Sequence, residues 1–192
     1  MNIICRLLLT FGVTVALLCG TASGARAESW THRDAAHDVV KVVQDGRVRA
    51  VPDRRTGDIR RFVARHLSTK VVVRFTMAVP LPRGRWYFSA SVDTRAQEYG
   101  IYVSGRGASA DRPAFSRSGP GGDTATCRGL RVVVEQATSS VKVIVPRSCI
   151  GRPRVVRVAL DLATYVGDTT YQDDGLQRGA FGKVFSPLLR RG

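Results

Sequence analysis

Three consecutive runs between Lys70 and Val103 alternate between apolar and polar residues, and turn-rich links separate them. In KVVVRFTMAV (70–79), Val71, Val73, Phe75, Met77 and Val79 share one parity, with Lys70, Arg74 and Thr76 on the other. Successive strand side chains point to opposite faces, so the pattern predicts a strand with one buried and one wet face. A run of β-branched valines disfavours the helical alternative. Pro80, Pro82 and Gly84 then end the ladder, because proline has no N–H to give it. In RWYFSASVD (85–93), Trp86, Phe88, Ala90 and Val92 turn inward, and Arg85, Tyr87, Ser89, Ser91 and Asp93 outward. The third run sets Tyr99, Ile101 and Val103 against Gly100, Tyr102 and Ser104. Together they read as a three-stranded meander whose apolar face needs a second layer to cover it.

The remaining chain offers that layer. Residues 38–44 read as a strand ending at the tight-turn signal Asp45-Gly46, with a short second arm over 47–51. Residues 58–67 predict a strand with Ile59, Phe62, Ala64 and His66 inward and a bulge at Arg60-Arg61, where alternation breaks. His66 on that face reads as a core histidine rather than a general base. Leu130, Val132 and Val134, then Val141, Val143 and Val145, make a hairpin flanked by Cys127 and Cys149. Residues 154–163 give a further strand, with Val156, Val158, Leu160 and Leu162 against Arg157 and Asp161. Residues 28–36 read as a lead-in, with Trp30 outside any strand. Residues 105–126 form a long Gly/Pro-rich loop anchored by Phe115. Eight or nine short strands, no helical periodicity and no repeat predict an all-β fold. The expected form is a two-sheet antiparallel β-sandwich, jelly-roll or immunoglobulin-like, over residues 28–164. Residues 165–192 then form a polar tail that packs on it or trails from it.

The N-terminus stands apart from that pattern. Arg6, an apolar run from Leu7 to Leu18 and the small-residue signal Ala25-Arg26-Ala27 read as a secretory signal peptide over residues 1–27. The run is too short for a transmembrane helix and no later run qualifies, so the expected location is extracellular. Leu18 before Cys19 opposes lipidation, which wants a small residue there. Cys127 and Cys149 are then the only mature cysteines, and an oxidising compartment makes a disulfide of them. Processing takes two of the 30 Lys+Arg and none of the 15 Asp+Glu, so net charge falls from +15 to +13. Such a charge suits anionic cell-envelope polymers. The arginines are scattered rather than blocked, as codon bias in a GC-rich bacterium would scatter them, and no specific nucleic-acid motif accompanies them.

Catalytic signatures are missing: no G-x-S-x-G, H-E-x-x-H or Walker loop occurs, and no free mature cysteine is expected. Gly105-Arg106-Gly107 shares only glycine content with a phosphate loop. His32 and His37 with Asp34 or Asp38, and separately Asp168, Asp173 and Asp174, contain metal-ligand residue types, but neither spacing matches an established loop. No cofactor, metal or enzymatic activity is expected. Exposed aromatics on a sheet face stack on sugar rings, and Tyr87 and Tyr102 fall on the outer face of adjacent strands. With Trp30, Arg85 and Asp93 they form the candidate ligand-binding set.

An early D-x-x-x-D-V segment (34–39), Asp58-Ile59, the run Ser91-Val92-Asp93-Thr94 with Tyr99 to Val103, and Val145-Pro146-Arg147-Ser148-Cys149-Ile150-Gly151 resemble secreted actinobacterial β-sandwich proteins of unassigned activity. More distantly, the V-D-T…Y-x-I-x-V run is similar to family-nine carbohydrate-binding modules and DOMON domains. The resemblance covers about residues 34–163 and implies a β-sandwich and, loosely, sugar or haem binding. A pair of clamping tryptophans is missing, and the sole mature methionine, Met77, faces inward, against a Met/His haem site. The expected function is a secreted, non-catalytic binding module for carbohydrate or another envelope polymer. The alternative is a structural or protein-interaction domain with no small ligand.

Overall fold

A computed structural model of the chain describes residues 28–43, 46–118, 123–179 and 182–192. The expected signal peptide, and Asp45 of the expected turn, lie outside the described residues. No helix among the described residues is long and apolar enough to cross a membrane.

Fourteen strands are described: β1 (Glu28–Arg33), β2 (Val40–Val42), β3 (Val48–Ala50), β4 (Ile59–His66), β5 (Lys70–Met77), β6 (Arg85–Asp93), β7 (Glu98–Arg106), β8 (Ser109–Ala110), β9 (Ala114–Arg117), β10 (Arg131–Glu135), β11 (Ser140–Pro146), β12 (Val155–Val166), β13 (Thr169–Asp174) and β14 (Leu189–Arg190). The smaller sheet runs β1-β4-β5-β11-β10, and the larger β3-β2-β13-β12-β6-β7-β8, with β9 added on β7 and β14 on β12. Every pairing is antiparallel. Among the described residues the helical content is two short 3₁₀ turns, at Gln136–Thr138 and Arg147–Ile150. The expected two-sheet, all-β sandwich is what forms.

The three alternating runs do not make one meander. β5 lies between β4 and β11 in the smaller sheet, whereas β6 lies between β12 and β7 in the larger. The link through Pro80, Pro82 and Gly84 therefore carries the chain from one layer to the other, and only β6 and β7 pair as a hairpin. Two apolar faces meeting across a core bury each other, which side-by-side pairing would not achieve. Val71, Val73, Phe75 and Met77 meet Trp86, Phe88, Ala90 and Val92 there, all buried. The Phe75 and Phe88 rings pack edge to face with centroids 5.7 Å apart.

Other parities hold. Ile59, Phe62, Ala64 and His66 are buried, and the ladder shifts register between Ile59 and Arg61, where the bulge is expected. Phe115 is buried and stacks on Tyr99 at 5.5 Å, yet the segment it anchors holds β8 and β9 rather than loop alone. Arg147 is buried at the end of the smaller sheet and donates to the carbonyls of Ser68, Arg152 and Pro153, which ties that turn together.

Both chain ends depart from expectation. Residues 28–36 are not a lead-in, because β1 pairs along β4 from Glu28↔His66 to Arg33↔Arg61. Trp30 thus lies within a strand and turns toward the core, edge-on to Phe62 at 5.9 Å. The polar tail is structural. β12 continues to Val166, β13 folds back along it from Asp161↔Asp174 to Val166↔Thr169, and Leu189 of β14 is buried. Polar residues supplied these strands, so hydrophobic parity alone did not expose them.

Cys127 and Cys149 are bonded, with Cα atoms 5.3 Å apart and a sequence separation of 22. Closing a loop of that length removes unfolded-state entropy worth about 3 kcal/mol. The Cys127→Ser/Cys149→Ser double variant should lose about that much stability in urea titration while keeping its far-ultraviolet β signature.

His66 gives a second expectation. Its Nδ1–H donates to the Leu189 carbonyl at 3.0 Å, and its Nε2 is buried without a partner. Burial pushes its pKa down from the ordinary value, Arg147 and Arg191 push the same way, and the Leu189 bond and Glu28 oppose them. A depressed histidine contributes stability that is present above the unfolded pKa of about 6.5 and is lost as pH falls toward the folded value. Between pH 7 and 5 the wild type should therefore lose unfolding free energy faster than His66→Gln, read as the difference between paired urea melts.

Candidate functional site

Strand alternation places the outward residues of β6, β7 and β12 on the outer face of the larger sheet. Tyr87 lies opposite Ser104 on one side and Ala163 on the other; Ser89 lies opposite Tyr102 and Asp161. The Tyr87 and Tyr102 rings are near-parallel, 18° apart, with centroids 6.4 Å apart. Tyr102 lies back over Gly100: a Cβ there would sit 2.5 Å from its hydroxyl and 2.8 Å from Cε2. Glycine at position 100 therefore lets the ring rest on the backbone of its own strand.

Around this pair sit polar groups that can orient a ligand. Ser89 donates its hydroxyl to Asp161. Burial pushes the Asp161 carboxyl up to about 6, with that hydroxyl opposing, so it is mainly ionised at neutral pH and accepts hydrogen bonds. Burial pushes the Tyr87 phenol up to about 12, and Asp161 and Tyr102 add to the rise, so the phenol keeps its proton as a donor. Beyond Tyr87 the face opens into a groove of about 430 Å³, with Arg85, Arg106, Asp111 and Tyr165 on its walls. The Arg85 guanidinium stands 5.3 Å from the Tyr165 ring centroid.

Of the five expected ligand-binding residues, Tyr87, Tyr102 and Arg85 come together here. Trp30 does not: it is on β1 of the other sheet, stacked on His32 at 5.5 Å. Asp93 shares the outer face of β6, but six residues from Tyr87 along a strand is about 20 Å. Its carboxylate is engaged by Arg157, at 2.9 Å from Nε and 2.5 Å from Nη2. Asp161 and Tyr165 were missed as site residues. The parity Arg157, Ala159, Asp161, Ala163, Tyr165 already turns Asp161 outward and would have added Tyr165 had the strand been followed past Ala163.

The glycines of Gly105-Arg106-Gly107 serve packing. A Cβ at Gly105 would fall 2.3 Å from Trp86 Cζ2 and 2.2 Å from the Ser109 carbonyl oxygen, and Trp86 Nε1 donates to the Gly107 carbonyl at 3.0 Å.

A second constellation closes one end of the sandwich. Asp34 follows β1, Asp38 precedes β2, Asp58 precedes β4 and Asp173 belongs to β13. Asp34, Asp38 and Asp173 each bring a carboxylate oxygen to within 4.8 Å of the other two. Burial pushes Asp34 up to about 8 and Asp173 up to about 9, with neighbouring carboxylates adding in each case. Asp168 stands outside this group, and Asp174 turns to the other face, where it accepts from the amides of Leu176 at 3.0 Å and Gly182 at 3.1 Å.

Two glycine substitutions separate the aromatic face from the fold that carries it. Gly105→Ala should cost at least about 1–3 kcal/mol in urea titration, because its new methyl meets backbone. Gly100→Ala should be far milder in stability, since Tyr102 can swing away, and should raise Tyr102 accessibility to nitration. No protein-family model, curated protein or solved structure matches the chain.

Proposed function

We propose that this protein is a secreted, non-catalytic module that binds carbohydrate across the outer face of its larger sheet. The observation that carries the reading is the near-parallel Tyr87–Tyr102 pair, with Tyr102 37% exposed, beside a groove walled by Arg85, Asp111 and Tyr165. Aromatic faces take the C–H-rich side of a sugar ring, and fixed donors and acceptors at the rim read its hydroxyls. Tyr87 supplies a phenolic donor, Asp161 an ionised acceptor, and Arg85 and Arg106 suit a uronate or phosphate substituent on an envelope polymer. The residue pattern of residues 1–27 supports export, and the Cys127–Cys149 disulfide suits an oxidising compartment.

Retention on immobilised plant and bacterial cell-wall polysaccharides tests the proposal. The wild type should be retained by at least one of them, and Tyr102→Ala and Tyr87→Ala should each weaken retention by about five- to tenfold without changing the thermal midpoint, as loss of a stacking contact worth about 1–1.5 kcal/mol implies. Retention that survives 1 M salt supports stacking. Retention that salt abolishes and the tyrosine variants keep would assign binding to the scattered arginines, and no retention on any polymer would leave the face to protein contacts; either outcome overturns the proposal.

A further inference from the structure

Four carboxylates from four separate segments meet at the end of the sandwich, remote in sequence from the tyrosine pair. Three of the side chains are deeply buried, Asp34 at 1% exposed and Asp58 and Asp173 at 0%, and Asp38 is partly buried. Each keeps an oxygen that hydrogen bonds do not use. Asp34 Oδ1 takes the Ala35 amide at 2.9 Å, Asp58 Oδ2 takes Arg60 at 3.0 Å, and Asp173 Oδ2 takes the Ile59 amide at 2.6 Å. Asp34 Oδ2, Asp58 Oδ1 and Asp173 Oδ1 are buried with no partner, and both oxygens of Asp38 are buried with only loosely placed backbone amides, its own and that of Gly179, near them. Buried polar atoms are rarely left so, and five in one cluster need a common partner.

That partner must be cationic, because the charges already at hand are few: Arg60 meets the far oxygen of Asp58, His32 stands 4.0 Å from Asp34 Oδ1, and Arg178 attracts Asp38 electrostatically. It must also be small, because it faces oxygens from three residues within 4.8 Å of one another. Ligand oxygens of one calcium ion lie up to about 4.8 Å apart, twice the usual bond of about 2.4 Å, so all three residues can share one ion, and a cage built of protein carboxylates suits calcium better than magnesium, which keeps several of its waters. A set made wholly of carboxylate oxygens suits a hard cation and offers no thiolate to zinc. We propose that Asp34, Asp38 and Asp173 bind one calcium ion, with Asp58 Oδ1 as a further ligand or the acceptor of a calcium-bound water.

The ion joins the two layers. Asp58 leads into β4 of the smaller sheet, whereas Asp38 leads into β2 and Asp173 lies on β13 of the larger. The Ile59 amide already reaches across to Asp173, and calcium adds a charged clamp at the same seam. The four acids are spread over positions 34 to 173, so the site exists only in the folded chain and its occupancy stabilises that fold by mass action.

The test uses the purified protein stripped with chelator. Adding calcium chloride to 1 mM should raise the thermal midpoint by about 5–10 °C, and 1 mM magnesium chloride by much less. Calorimetry should give one calcium per chain. Asp34→Asn and Asp38→Asn should each weaken calcium binding by at least tenfold. The stripped variants should melt no lower than the stripped wild type, because each replaces a buried carboxyl that nothing compensates without the ion; a merely structural aspartate would lower the midpoint with or without the ion. Absence of a calcium shift at 10 mM, an equal shift with magnesium, or an undiminished shift in both variants would overturn the proposal.

Discussion

The opposition of β5 and β6 across the core is the constraint on which the rest depends. Each strand buries every second residue, and the two belong to different sheets. Phe75 and Phe88 meet where those faces close, and truncating a ring so buried costs about 3–5 kcal/mol. The flanking strands inherit this arrangement: β4 and β11 line up on β5, and β12 and β7 on β6. A period of two leaves no freedom in what faces outward. Once Trp86 and Phe88 are buried, Tyr87 and Ser89 must lie on the outer face, so the candidate ligand surface follows from the core.

The C-terminal segment divides that outer face. Lys183 pairs with Glu98 of β7 at 2.9 Å, and Arg157 of β12 lies over Phe185 at 5.0 Å. Ser186 is buried, with its amide on the Val158 carbonyl and its hydroxyl accepting from the Val158 amide at 3.0 Å. The tail thus covers the end of the sheet that holds Asp93 and leaves open the end that holds Tyr87, Tyr102 and Arg85. The division explains why Asp93, outward by parity, is engaged with Arg157 rather than displayed. It also accounts for the burial of Ala159 on a face that hydrophobic pattern alone would leave wet.

What the sequence made legible was parity, and what it hid was partnership. Inward and outward assignments for β4, β5, β6, β7 and β11 agree with the burial, and the bulge at Arg60-Arg61 is where alternation fails. Cys127 and Cys149 were readable because few cysteines left few choices. Pairing between sheets is a different matter. Two strands joined by seven residues, as β5 and β6 are, can pair side by side or face each other across a core, and their own residues do not distinguish the two. β1 and β13 were hidden because their sequences, ESWTHR and TTYQDD, carry few apolar residues. Their strands are held by backbone ladders and by covering residues such as Arg54, whose guanidinium lies 3.5 Å from the Tyr171 ring centroid. Tyr87 and Tyr102 could be assembled from adjacent strands, whereas no local spacing unites Asp34, Asp38, Asp58 and Asp173.

The same period of two explains how adjacent acids on β13 serve different ends. Asp173 lies opposite Leu162, a core residue, and so turns into the seam between the sheets with Asp34, Asp38 and Asp58. Asp174 lies opposite Asp161 and turns outward, where it organises the turn that launches the tail across the sheet. A slip of one residue in this pairing would turn Asp173 outward and break both the seam contact to the Ile59 amide and the amide bonds that hold the tail turn. Register here is fixed less by hydrophobic burial than by which carboxylate finds compensation on which face. On the outer side the compensation is visible as backbone amides. On the inner side unpaired oxygens remain, and a divalent cation at that point would fix the register of β13 and, through Asp161, the floor beneath Tyr87.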